Sequence, residues 1–131
     1  MTDFSDFLFL TSAGLALLGV IAHELLGSPK VLGPLKDAGL PDEVVWLHHF
    51  SWHVGSVAVL AMVALFLLAV WRPDGLAFAA VATAMSAGFA ALGISLALFG
   101  NRALWRTPAP YPWTLIAALG GLGLAFETLR A

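Results

Sequence analysis

The chain has 131 residues, enough for one domain. It is 60% hydrophobic and only 11% charged, against about a quarter charged in soluble domains, so it has too little polar surface to dissolve. A net charge of −2, no basic run and no cysteine speak against a nucleic-acid interface and exclude disulfides, thiolate metal sites, iron–sulfur clusters and thiol catalysis.

Four apolar runs follow in order, from about Phe7 to Leu26, Val44 to Trp71, Gly75 to Gly100 and Pro112 to Leu129. Each reaches or nearly reaches the ~20 residues that cross a ~30 Å hydrocarbon core. None alternates polar with apolar, so strands are not expected, and backbone groups in lipid must bond within their own segment. The expected fold is all-α: one integral membrane domain over residues 1–131, an antiparallel bundle of four transmembrane helices near 7–27, 42–71, 75–101 and 112–129. The first run does not read as a cleavable signal. Asp3 and Asp6 precede it, with no Lys or Arg.

The breaks between runs support this division. Gly27-Ser28-Pro29 is expected to stop the first helix. The stretch from Pro29 to Pro41, with Lys30, Lys36 and Asp37 among Val31, Leu32 and Leu35, reads as a loop lying at the interface. Asp42 is expected to cap the second helix, with Glu43 favoured by the helix dipole. Arg72-Pro73-Asp74-Gly75 reads as a tight turn. Pro108, Pro110 and Pro112 forbid a continuous helix from the third run into the fourth. Trp46, Trp105 and Trp113 fall at one expected interface and Trp71 at the other.

Four crossings put both termini on one side. Lys30, Lys36, Arg102 and Arg106 lie in the two loops opposite, and Arg72 and Arg130 on the side of the termini. The positive-inside rule then places those two loops in the cytoplasm and both termini outside. Small residues in the third and fourth runs, among them Gly88, Gly93, Gly120 and Gly123, are expected at helix–helix contacts. Glu127 is expected to pair with Arg130 at the interface.

Chemistry concentrates in two places. The first is His23-Glu24, one turn before Gly27. The second is Trp46-Leu47-His48-His49-Phe50-Ser51-Trp52-His53. His49 and His53 are i and i+4 and share a face that Ser56 continues, whereas His48 is rotated by about 100°. The second run is roughly 28 residues long, about 42 Å, so its first turns must protrude or tilt. That brings His49, His53 and His23 to one level of the membrane.

Three readings of this cluster compete. The first is structural: interfacial or hydrogen-bonded histidines, which suits His48 best. The second is a metal site, since imidazole is the commonest ligand for such ions. His23, His49 and His53 would supply nitrogens, Glu24 would complete or orient the set, His48 would stand at its edge, and Ser56 and Trp52 would support it from outside. With no thiolate, zinc, copper or iron would suit. The third is a b-type haem between His23 and His49 or His53, with Gly19, Ala22 and Gly55 leaving room for the macrocycle. Two known metal motifs are absent. His23-Glu24-Leu25-Leu26-Gly27 opens like a zinc-protease signature, but Gly27 stands where its second histidine belongs. The di-iron hydroxylases need about twice as many histidines as this chain's four.

Gly19-Val20-Ile21-Ala22-His23-Glu24-Leu25-Leu26-Gly27 and then Trp52-His53-Val54-Gly55-Ser56 resemble a group of small bacterial four-helix inner-membrane proteins of unassigned activity. The resemblance implies four helices and points to His23 and His53. No nucleophile–base pair and no phosphate loop is visible, so a binding or redox-accessory role is expected, with the lipid bilayer as partner. The competing expectation is a structural or assembly subunit that packs against a larger membrane complex or another copy of itself.

Overall fold

A computed structural model describes residues 3–129. Among them there is no strand. The fold is all-α, with four long helices, three of them long and apolar enough to cross a membrane.

The first helix runs from Asp3 to Lys36, well past its expected stop. It is α-helical over Asp3–Ala22, widens to a π turn over His23–Gly27, and resumes as Ser28–Lys36. The Ser28 N–H donates to the His23 carbonyl, five residues back. Pro29 accounts for the detour: it has no N–H, and in a regular helix its ring would strike the carbonyl of Leu25. Starting a new α segment at Ser28 places Pro29 in a first turn, where its N–H is not needed. The stretch read as an interfacial loop is thus mostly helix, with Leu32 buried. Its end is made by Asp37 and Ala38 donating to Pro34 and Leu35, and Gly39 takes the left-handed turn at φ +67°.

The second helix, Asp42–Trp71, is 30 residues long and unbroken through the histidine cluster. Asp42 is its first residue rather than its cap. Pro41 holds that place, and its carbonyl accepts from the N–H groups of Val44 and Val45. Asp42 and Glu43 still lie in the first turn, where the helix dipole favours them. The turn after Trp71 carries an exposed Arg72–Asp74 pair at 3.7 Å. Gly75 then starts the third helix so close to Ala69 that a Cβ there would lie 2.0 Å from the Ala69 carbonyl oxygen.

The third helix, Gly75–Gly100, also ends in a π turn, Leu96–Gly100. A 3-10 turn, Arg102–Arg106, follows, with Asn101 accepting from the Ala103 N–H at 2.9 Å. The fourth helix is Tyr111–Thr128, and Pro112 sits in its first turn. The Tyr111 hydroxyl donates to the Trp105 carbonyl at 2.8 Å, which ties this connection down.

The four helices form a ring in which the first packs on the second and fourth, and the third packs on the same two. The core between them is built on fully buried Phe9, Met62, Phe66 and Ile116. Small residues let the helices close up. A Cβ on Gly120 would strike Thr83 and Phe66, one on Gly123 would strike Phe9, and one on Gly93 would press on Pro110. Gly88 differs from its expected place, because a Cβ there meets nothing within 4 Å. Two buried hydroxyls are satisfied within their own helices, Ser12 donating to Leu8 and Ser86 to Ala82, each at 2.9 Å, whereas buried Ser5 and Ser56 donate to carboxylates on other helices. The outer surface carries Phe7, Leu18, Leu25, Phe50, Val57 and Phe99, all well exposed. So many exposed large apolar side chains suit a surface that meets something other than water. Trp113 packs edge-on against Phe89, with ring centroids 5.2 Å apart. The expected Glu127–Arg130 pair lies outside the described residues; Glu127 accepts from Ser5 at 2.5 Å.

Candidate functional site

The π turn is where the first helix meets the chemistry of the second. Its wide turn carries His23 and Glu24 side by side, and each finds a different partner on the facing helix. π turns inside α-helices occur frequently at functional sites. The His23 ring lies flat on Trp52, with centroids 3.8 Å apart and planes 11° apart. Its Nε2 is 3.4 Å from the Trp52 carbonyl oxygen. Gly27 makes this possible: a Cβ there would stand 3.0 Å from the Trp52 ring.

Glu24 reaches past this stack. Its Oε1 accepts from the Ser56 hydroxyl and lies 3.2 Å from His53 Nδ1. An ionised carboxylate only accepts, so Nδ1 is the nitrogen that carries the proton. In the neutral ring Nε2 is then an open acceptor, in the tautomer that an orienting carboxylate imposes. Ser56 is buried, whereas the His53 side chain is 54% exposed and that of Glu24 32% exposed. The face shared by His49, His53 and Ser56 therefore does not turn wholly inward as expected. Its deep end is buried and its histidine end borders the surface.

The other histidines divide. His48 Nδ1 donates to the Val44 carbonyl of its own helix at 2.8 Å, which is the structural role expected for it. His49 lies between Trp46 at 5.2 Å and His53 at 6.4 Å, centroid to centroid. His23, His49 and His53 do not converge. Among the described residues no group of three or more His, Asp or Glu side chains is placed to hold a metal ion. The reason lies in the π turn, which gives His23 to Trp52 and Glu24 to His53. Glu24, expected to complete or orient the set, and Ser56, expected to support it from outside, are bonded to each other, and Glu24 is also the partner of His53.

Two concavities flank the constellation. A shallow groove on the outer surface is lined by Glu24, His53 and Ser56 at one end and by Leu17, Ile21, Val57 and Leu60 along its length. A half-open cavity of about 240 Å³ lies on the other side of Ser56, bordered by His23, Gly19, Gly55, Phe89 and Trp113. Gly19 and Gly55 do open space, as a haem would require, since a Cβ on either meets nothing within 4 Å. The cavity is nonetheless below the ~300–1,000 Å³ of ordinary ligand clefts. His53 lines the groove and His23 the cavity, so the two do not face each other across one space.

Sequence signals for this arrangement were present. Val31, Leu32 and Leu35 have helical spacing beyond Pro29, which marks a helix that detours rather than stops. Comparisons with protein-family models, curated proteins and solved structures find no match. The fold and site thus define a class alone: an all-α protein with helices able to cross a membrane and a carboxylate–imidazole–hydroxyl constellation between the first two. The resemblance to small bacterial inner-membrane proteins draws no support from these comparisons.

Proposed function

We propose that this is an integral membrane protein of four antiparallel crossings, in a bacterial inner membrane with both termini outside, whose working part is the Glu24–His53–Ser56 constellation. Its role is binding. Glu24 holds His53 with Nε2 turned to the groove as an acceptor for a ligand arriving at one membrane face. The observation that carries this reading is the contact of 3.2 Å between His53 Nδ1 and Glu24 Oε1, on residues that remain partly exposed. Ionisable side chains within membrane helices are rare and mark sites by default. A hydrogen-bonded pair left open on one side has no purely structural need of that opening.

A second reading is a metal ion taken at His53 Nε2, with His49 beside it. Metal-ligating histidines characteristically give their other nitrogen to a carboxylate, and Glu24 fills that position. Zinc, copper or iron would suit.

Native mass spectrometry of the protein released from its membrane tests both. The expected outcome is a bound species that persists in His48→Ala and is lost in His53→Ala and Glu24→Ala. An adduct with the mass of one metal ion selects the second reading. Identical spectra for all four proteins, together with co-purification of a large complex, overturn both in favour of a scaffold subunit.

A further inference from the structure

We propose that the outer groove receives a neutral amphiphile whose hydroxyl head group donates to His53 Nε2 while its hydrocarbon tail lies along the first two helices. The proposal rests on the reading of His53 above and names the ligand class. Leu17, Ile21 and Glu24 follow one another at helical spacing on the first helix, as do His53, Val57 and Leu60 on the second, and all six line the groove. The polar groups are therefore at one end, and seven residues of helix, about 10 Å, separate them from the apolar end. That length matches a chain of about eight to ten carbons. Because the polar end lies at the expected membrane face, a tail in this groove would point towards the bilayer centre, as lipid tails do.

The head group follows from the same lining. Glu24 is the charged side chain of the groove and no Lys or Arg lines it. A phosphate or carboxylate head would meet repulsion with no cation to offset it. An ammonium head would bring a strongly hydrated point charge to a carboxylate whose Oε1 already receives Ser56 and His53. The acceptors left over are the Nε2 lone pair of His53 and the second oxygen of Glu24, and an uncharged O–H complements Nε2 without bringing a strongly hydrated charge out of water. Two kinds of membrane molecule carry that chemistry on an apolar tail, a phenol or quinol and a long-chain alcohol.

The test uses the full chain in lipid nanodiscs with ¹⁵N-labelled histidine. Decyl hydroquinone and 1-decanol are each titrated, with their methyl ethers and decylamine as comparisons. The expected result is a saturable shift of the His53 Nε2 resonance and none at His48. The methyl ethers should bind at least tenfold more weakly, and Val57→Trp, on an exposed position, should weaken binding at least tenfold while the His53 tautomer is kept. The tighter of the two hydroxyl probes identifies the source. Equal binding of the ethers, or preference for decylamine, overturns the hydroxyl assignment and leaves the site standing. Absence of the Nδ1–H tautomer in the probe-free protein overturns the site itself.

Discussion

Glu24 shows how little separates a bystander from a centre. Its neighbour His23 is stacked on Trp52 and its own carboxylate is bonded to Ser56 and His53. Adjacent residues thus serve different partners. Hydrogen bonds to a charged group contribute about 1.5–3 kcal/mol, less where water reaches them. Ser56→Ala should therefore lower stability by about 1 kcal/mol and, because it removes a single oxygen and leaves the packing otherwise unchanged, keep the fold intact. His48→Ala, which removes an exposed bond within one turn, should stay within about 0.5 kcal/mol. Thermal unfolding followed by circular dichroism in one detergent compares the two. A larger loss for His48→Ala would show that the Glu24–Ser56 bond does not hold the helices together. The i, i+4 relation of His49 and His53 was legible in the sequence. The partner of His53 was not, because spacing along one helix says nothing of which side chain on the next helix arrives opposite.

At the scale of the element, the π turn is the feature that decides the site. Proline and glycine signals mark where a helix cannot continue unchanged, which by itself leaves open whether it ends or detours. The helix admits a wider turn and goes on, since the packing of Leu32 stabilises the continuation. π turns are rare and occur mostly as single turns inside α-helices, so one persists where something demands it, and Pro29 does. Pro29→Ala should allow the turn to relax toward regular helix and move Glu24 out of reach of His53. Histidine ¹⁵N spectra should then show His53 losing its single tautomer while His48 keeps its own. An unchanged His53 signal would mean that packing, and not the proline, holds the turn open.

Across the whole molecule, packing and topology invite separate tests. Gly120 meets Thr83 and Phe66 at distances that leave no room for a side chain, whereas Gly88 faces open space. Gly120→Leu should cost about 1–3 kcal/mol through overpacking, and Gly88→Leu should leave melting unchanged. Equal effects would place both glycines in like surroundings and contradict the ring of helices. The chain has no cysteine, so single cysteines at Lys36 and Asp74 report sidedness without background. Labelling from opposite sides is expected for alternating crossings, and labelling from the same side would overturn them.

Composition alone required helices, because a chain this apolar must bond its backbone internally, and helices do so residue by residue from local spacing. The positions of the second, third and fourth helices, the breaks between them and the grouping of ionisable residues at one level followed from that local rule. The division of the cluster did not. Whether His23 meets His53 or Trp52 depends on how far the first helix rotates through its π turn and on the room Gly27 leaves for the indole. The inward place of Gly120 and the outward place of Gly88 likewise depend on helix rotation within the ring. Rotation is set by the summed packing of side chains distant in sequence, which no window of neighbouring residues contains.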